Sequence, residues 1–286
     1  MRKRREKIIR IIGSILLWIF AAFWFVPIFW MLITSLKESS SAVMEYPPRW
    51  IPDPATLNNY RRVFTPAGGI SVVRGLRNSL IVATVTGILG LVIATPAAYA
   101  LARMRFTGQK VAFWLYIAIL AFPGIIFLVP NFLIVHSLGL MNTFAALIFP
   151  TFGTTFGVFL LRQYMLGIPR ELEDAAWIDG CSRLRFLITI VIPYIKPALF
   201  VLALMTFLGS WNNFLWPLLV MQSPEKFTLP IALVRFAGGT QWNDPYRGIG
   251  ALMAGSFISV APTLLIFVVF NKYLMQGVYL GSVGKE

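Results

Sequence analysis

The chain has one cysteine, Cys181, and one histidine, His136, in 286 residues. A lone cysteine excludes an internal disulfide and any cysteine-based metal cluster. A lone histidine, with no partner-like spacing around it, is a poor basis for a histidine metal site or a local catalytic triad. It reads as an exposed residue after an apolar run. Charge is scarce as well: 13% of the residues, against about 25% in a soluble globular protein. Acids are the scarcest, eleven Asp and Glu against twenty-five Lys and Arg. No Walker A sequence is present. GSVGKE at the C-terminus has Gly-Lys without the required spacing, a following Ser or Thr, or a strand–loop–helix setting. The chain is therefore not expected to hydrolyse ATP by itself, nor to bind a cofactor or metal.

What is abundant is apolar surface, 58% of residues with a strongly positive mean hydropathy. A soluble helical protein of this length needs polar outer faces on its helices, and long runs here have none. Six segments match the roughly 20 apolar residues that cross a bilayer core. They run from about Ile8 to Leu36, Ser79 to Ala102, Val111 to Val135, Phe144 to Leu161, Ala198 to Met221 and Ile249 to Phe270. Apart from Arg10 at the start of the first, none of these segments holds an Asp, Glu, Lys, Arg or His. Intramembrane carboxylates, the usual ion and proton relays, are therefore missing. Any energy must therefore come from a partner, or the protein is passive.

The net charge of +14 could suggest a nucleic-acid partner, but the basic residues sit beside apolar runs, where they set membrane orientation. MRKRREKIIR carries six of them and resembles a signal-peptide n-region. The run behind it is too long for an h-region and has no clear small-residue cleavage site, so it reads as a retained first span with a cytoplasmic N-terminus. Six spans return the C-terminus to the same side. Arg103, Arg105 and Lys110, and then Arg162, Arg170, Arg183, Arg185 and Lys196, fall in inner loops, while the outer loop around SLGLMNT has no basic residue. Arg74 and Arg77 run against the rule. The expectation is an all-α integral membrane protein of six transmembrane helices, forming one domain over 1–286.

Four of the eleven acids crowd into ELEDAAWIDG, Glu171 to Gly180, in the loop between the fourth and fifth spans. Pro169 precedes a helix whose first turns hold Glu171, Glu173 and Asp174, where the positive end of the helix dipole favours carboxylates. Ala175 and Ala176 are small and helix-forming. Gly180 is placed to end the helix in a left-handed conformation. LRFLITIVIP then supplies a second helix, and Pro193 and Pro197 bend the chain into the fifth span. A well-capped surface helix has these features too.

Spacing adds more. Asp174-Ala175-Ala176, three residues, Gly180, nine residues, then Ile190-x-Ile192-Pro193 resembles the EAA loop of ABC importer permeases, Glu-Ala-Ala, three residues, Gly, nine residues, Ile-x-Leu-Pro. Asp174 and Ile192 depart from it conservatively. The resemblance extends through TLNNYRRVF (56–64), NSLIVA (78–83), AAYALARMRFTG (97–108), FPGIIFLVP (122–130), FLLRQYMLGIPRELEDAAWIDG (159–180) and WNNFLWPLL (211–219). Together these look like the carbohydrate-uptake permeases of the maltose-transporter type, in particular the shorter, six-span partner. GVYLGSVGKE resembles the family's tail but departs at its last residues.

The resemblance implies a cytoplasmic coupling helix within about 169–197 that docks in a cleft of an ATP-hydrolysing subunit, with Glu173, Asp174, Ala175, Ala176, Gly180, Ile190 and Pro193 as coupling residues. It implies a second homologous permease, two copies of an ABC ATPase that carry ATP and Mg, and an extracytoplasmic solute-binding protein received by outer loops, above all 222–247. The location implied is the bacterial cytoplasmic membrane. For the substrate path, WNNFLW offers amides for sugar hydroxyls and tryptophans for sugar C–H faces. Asn131, Trp211, Asn212, Asn213 and Trp216 are the candidates. The same groups also suit plain helix-to-helix packing. A non-sugar ABC importer and an autonomous channel or facilitator are the alternatives.

Overall fold

Apolar residues recur here without a polar stripe, and the elements they form are helices. The computed structural model describes the whole chain apart from residues 1, 39–45, 48, 67, 68, 152, 240–246 and 283–286. The side chains of 2–6, 8, 237–239, 247, 248 and 269–282 are also outside the description. In chain order the helices are α1 (Arg2–Ser35), α2 (Asn58–Phe64), α3 (Val72–Arg103), α4 (Gln109–Ala121), α5 (Leu128–Ser137), α6 (Phe144–Ile148), α7 (Thr155–Leu166), α8 (Arg170–Ile178), α9 (Arg183–Tyr194), α10 (Lys196–Trp211), α11 (Leu215–Val220), α12 (Leu229–Gly239) and α13 (Arg247–Ser282). No strand forms among the described residues; Lys37 and Ala55 make one isolated bridge. Part of segment 222–247, expected on the outer side, and the last residues of the GVYLGSVGKE tail lie outside the described residues.

Three stretches are long and apolar enough to cross a membrane unbroken: Ile9–Ser35, Val72–Arg103 and Ile249–Val268. Two bent pairs raise that to as many as five. The segments expected as the third, fourth and fifth spans are interrupted. The third is Gln109–Ala121 followed by Gly124–Ser137 at 97°. Its cause is Pro123, which lacks an N–H and holds Phe122 in an extended conformation at φ −81, ψ 132. The fourth breaks over 149–154, at Pro150, and the fifth over 212–214. Pro130 and Pro217 sit in the first turns of α5 and α11, where no intrahelical partner is lost. Pro27, Pro96 and Pro262 lie inside long helices.

The chain divides into two units. One comprises Met1–Val73 and Ala232–Pro262. Within it, buried Asn59 donates its amide to the carbonyls of Ser35 (2.9 Å) and Lys37 (2.8 Å), and so holds the end of α1 against α2. Gly250 approaches so closely that a Cβ there would stand 2.6 Å from Asn59 Nδ2. The apolar window of α1 buries nothing within this chain.

The other unit comprises Arg74–Ile231 and Thr263–Glu286. Its core joins Ala94, Ala98 and Leu101 of α3 to Leu161 and Met165 of α7, Ala176 of α8, Phe186 and Val191 of α9, and Ala198 and Leu202 of α10. Small residues let these helices approach. A Cβ on Gly157 would collide with Thr154 Oγ1 and with Leu202, and one on Gly87 would stand 3.6 Å from Thr206 Oγ1. On a different part of the same unit, Asn142 (φ 58) accepts from the Gln222 and Ser223 amides through Oδ1, both at 3.1 Å, and donates from Nδ2 to Ser223 Oγ at 2.7 Å. Asn78 Nδ2 donates to the carbonyls of Glu225 and Phe227, both at 2.9 Å. Segment 222–227 is thus pinned from two sides.

Candidate functional site

The acidic stretch forms α8, with Pro169 at its N-cap and Glu171 and Glu173 in its first turn. Gly180 has φ +71. Its N–H bonds the Trp177 carbonyl at 3.1 Å, and the Cys181 N–H bonds the Ala176 carbonyl at 2.9 Å. Those two bonds are the Schellman closure, which needs the left-handed residue that glycine supplies most cheaply. The chain restarts at once. Ser182 caps α9 by accepting from the Arg185 N–H at 3.3 Å. Within α9 a π-turn covers Leu187–Val191. The axis then bends by 80° into α10, between Pro193 and Pro197. Helix, glycine turn and second helix therefore stand where their residue types placed them.

The two faces of α8 differ. Ala176 is buried in the core, and the Trp177 and Phe186 rings lie 5.3 Å apart. Glu173 also turns inward and pairs with Arg103 of α3 at 3.2 Å, with side chains only 17% and 7% exposed. Glu171, Asp174, Ala175 and Asp179 are exposed, and Ile178 is 86% exposed. Of the expected coupling residues, Asp174 and Ala175 thus face outward, while Glu173 and Ala176 hold the helix to its own chain. Glu173 Oε2 is engaged by Arg103 of the same chain. Ile190 is half-buried against the core and Pro193 is exposed.

Two arginines that the sequence marked only as orientation charges bind the ends of α3 and α7 to each other. Arg103 donates through Nε (3.0 Å) and Nη2 (2.6 Å) to the Met165 carbonyl, and also to that of Ile168. In return Arg162 Nε donates to the Leu101 carbonyl at 3.1 Å, and its guanidinium lies 3.7 Å over the Phe113 ring. Carbonyls in a last helical turn have no intrahelical partner, so each arginine satisfies the other helix. A basic residue in the last turn of a long helix, as Arg103 is, was the available signal. An open groove of about 860 Å3 lies beside this joint, bordered by Tyr99, Arg103, Arg105, Arg170, Glu173 and Arg183.

The substrate-path candidates are not gathered. Trp211 is buried and stacks on Phe207, centroids 5.9 Å apart and planes 11° apart. Trp216 is buried and donates its indole N–H to the Ala146 carbonyl at 2.9 Å. Both tryptophans are packing groups in this geometry. Asn212 is exposed at the end of α10, and Asn131 is half-buried on α5. Asn213 stands in the break before α11, where its Oδ1 accepts from the Trp216 N–H at 3.4 Å. It lines a recess together with the hydroxyls of Thr86, Thr151, Thr154, Thr206 and Ser210.

Residues 88–278 match the family model of the binding-protein-dependent transport system inner membrane component. The chain belongs to that family. The match takes in α8, its glycine turn and α9, so the geometry above is that of a permease subunit, which is not itself an enzyme. This permease is 36% identical to the arabinooligosaccharides transport system permease protein AraQ of Halalkalibacterium halodurans, over 90% of each chain. It is 32% identical to the trehalose/maltose transport system permease protein MalG of Thermococcus litoralis, over 98% of each. Its fold matches a chain in the crystal structure of a bacterial ABC transporter involved in the import of the acidic polysaccharide alginate, with TM-score 0.79 and 26% identity. That match covers 94% of this permease and 98% of the other chain.

Proposed function

We propose that this permease carries a sugar or oligosaccharide inward as the shorter, six-span subunit of a bacterial ABC importer, with the whole chain acting as one transmembrane domain. Relatives named for arabinooligosaccharides and for trehalose and maltose, matched over nine-tenths or more of this chain, support the cargo class. Both termini lie in the cytoplasm on this reading, and the broken helices complete the third, fourth and fifth crossings of the cytoplasmic membrane. A second homologous permease completes the pore. Two ATPase subunits hold ATP and Mg, and an extracytoplasmic binding protein delivers cargo to the outer segment 222–247.

In this reading α8 is the coupling helix. The observation that carries it is the outward face of Asp174, Ala175 and Ile178 on a helix clamped from behind by Arg103, Glu173 and Ala176. The small Ala175 lets a partner surface approach, the Asp174 carboxylate offers a charge to it, and the burial of Ile178 adds hydrophobic area. Closure of the ATPase pair then pushes a rigid body and not a loose loop, and the α9–α10 bend passes the displacement to the core.

The experiment is a mild-detergent pull-down of the tagged chain from its native host, with copurifying proteins identified by mass spectrometry. A second permease and an ATPase are the expected partners. The chain recovered alone, under conditions that hold ABC complexes together, points to an autonomous channel and removes the coupling role. In the same assay Gly180→Asp leaves the protein in the membrane but weakens ATPase recovery. Normal transport by that variant would sink the coupling assignment.

A further inference from the structure

A recess of about 270 Å3 opens where two interrupted helices meet α3, close to the lower size of small-molecule pockets, about 300 Å3. Thr86 reaches it from near the middle of α3. Thr151 and Thr154 come from the break between α6 and α7, Thr206 and Ser210 from α10, and Asn213 from the break before α11. None of the side chains lining the recess carries a charge. Non-helical backbone within a membrane protein is tolerated where it is buried in protein or lines a cavity. Discontinuous helices also build the mid-membrane binding sites of transporters.

The hydrogen-bond inventory is uneven. Thr206 donates to the carbonyls of Leu202 (2.9 Å) and Ala203 (3.0 Å), and Thr151 to those of Leu147 (3.0 Å) and Ile148 (2.9 Å). Those two hydroxyls repair their own helices. Among the described residues four buried threonine hydroxyls bond to nothing, those of Thr34, Thr86, Thr154 and Thr228; of these, Thr86 and Thr154 border the recess. Thr86 is only 2% exposed. Thr154 is at the N-cap of the twelve-residue α7, a position where a threonine hydroxyl normally accepts from the first turn, yet it makes no cap bond. The α7 N-terminus therefore presents amide donors with no side-chain cap. Asn213 spends one acceptor on Trp216 and keeps its amide nitrogen available.

Buried hydroxyls without partners are destabilising, and the two that share one recess with an uncapped helix start point to a partner there. A neutral molecule whose hydroxyls both donate and accept meets Thr86, Thr154, the α7 amides and the Asn213 amide at once. An anion finds no cation among the recess side chains, and an apolar ligand leaves the hydroxyls orphaned. We propose that this recess is a sugar-contact site contributed by the present chain, with Thr86 and Thr154 as hydroxyl-recognition residues. The assignment rests on the sugar-importer reading and makes this subunit one wall of the cargo site. The tryptophans of WNNFLW serve only to hold that wall in place.

The test uses the whole importer, purified with its native partners and rebuilt in liposomes with its binding protein. Arabinotriose, maltose and trehalose are the probes. If the unaltered complex moves none of the three, the sugar reading fails, and the recess assignment goes with it. Where one probe is moved, its monodeoxy analogues are compared. Thr86→Val or Thr154→Val is expected to erase discrimination against one deoxy position by about tenfold, and Thr86→Ser to retain it. A second readout does not depend on the valine variants folding. In a Cys181→Ser background, Thr154→Cys is treated with a thiol reagent during turnover. The transported probe is expected to slow modification about fivefold, by occupying the recess. Valine variants that still discriminate among deoxy sugars overturn the assignment. So does a cysteine that reacts equally with and without sugar, or never reacts. Those outcomes leave the importer reading intact, because the unaltered complex still transports.

Discussion

The joint around α8 and the recess between α3, α7 and α10 lie in one unit of the chain and treat polar groups in opposite ways. At the joint, Arg103 and Arg162 satisfy each other's helix ends, Glu173 has its arginine, Ser182 caps α9 and Gly180 closes α8. In the recess, two buried threonine hydroxyls have no partner and a helix starts without its cap bond. On the coupling reading the joint transmits force, and such a part gains from having every group paired, because a paired network resists deformation. A part that must bind, release and rebind cargo needs groups that the protein itself does not satisfy. The contrast has an energetic consequence: deleting polar groups at the joint costs stability, and deleting the two orphaned hydroxyls of the recess does not.

The largest effect is expected from Arg103→Ala. That change strands the Glu173 carboxylate, takes the arginine's bond from the Ile168 carbonyl and leaves the Met165 carbonyl only backbone donors such as the Ile168 N–H. Removing one partner of a buried ion pair costs about 3–5 kcal/mol. Thermal unfolding of the purified protein in detergent should show a drop of that size. Arg103→Lys should recover only part of it, since a point charge cannot span two carbonyls and a carboxylate. A variant as stable as the native chain breaks the comparison from the joint's side.

Gly180→Ala comes next and isolates one cause. A Cβ at Gly180 meets nothing within 4 Å, so no clash confounds the result. What remains is the cost of a left-handed alanine at φ +71, about 1–2 kcal/mol. Gly180→Asn should cost less, because asparagine tolerates that conformation better. Equal losses for the two variants, in the same unfolding assay, would show that the turn does not depend on backbone handedness.

How legible these parts were in the sequence follows from the range of their interactions. The α8 element is local: Pro169, the acidic first turn, Gly180 and Ser182 all act within a few residues of their positions. The break at Pro123 is local too, while the length of the other interruptions is not written in proline alone. The Arg103–Glu173 pair joins residues seventy positions apart, and nothing in a charge count connects them. Ala175 and Ala176 are equivalent in sequence, yet one is exposed and the other buried, since neighbours on a helix point about 100° apart. The placement of WNNFLW is long-range too. Its residue types suit sugar binding, but the Trp216 indole is committed to a carbonyl on α6, whereas Thr86 is a single hydroxyl in an apolar run with no local feature to distinguish it.

The smallest expected effect, and the one with an unusual sign, is Thr86→Val in the absence of cargo. Valine keeps the branched shape and removes a buried hydroxyl that bonds to nothing. An unsatisfied buried polar group costs about 1–3 kcal/mol. Loss of the hydroxyl should therefore leave unfolding unchanged or raise stability by about 1 kcal/mol, even though Thr86 lies in the middle of a tightly packed helix. Thr206→Val serves as the internal contrast. That hydroxyl donates to two backbone carbonyls, but those carbonyls also belong to an intact helix, so its loss should cost no more than about 1 kcal/mol. If Thr86→Val destabilises as much as an ordinary hydrogen-bond deletion, the hydroxyl has a partner in the folded protein, and the recess no longer differs in kind from the joint. If it stabilises the protein while the variant discriminates less among deoxy sugars, stability and recognition oppose each other at one atom, as expected where a protein leaves a polar group for its cargo to satisfy.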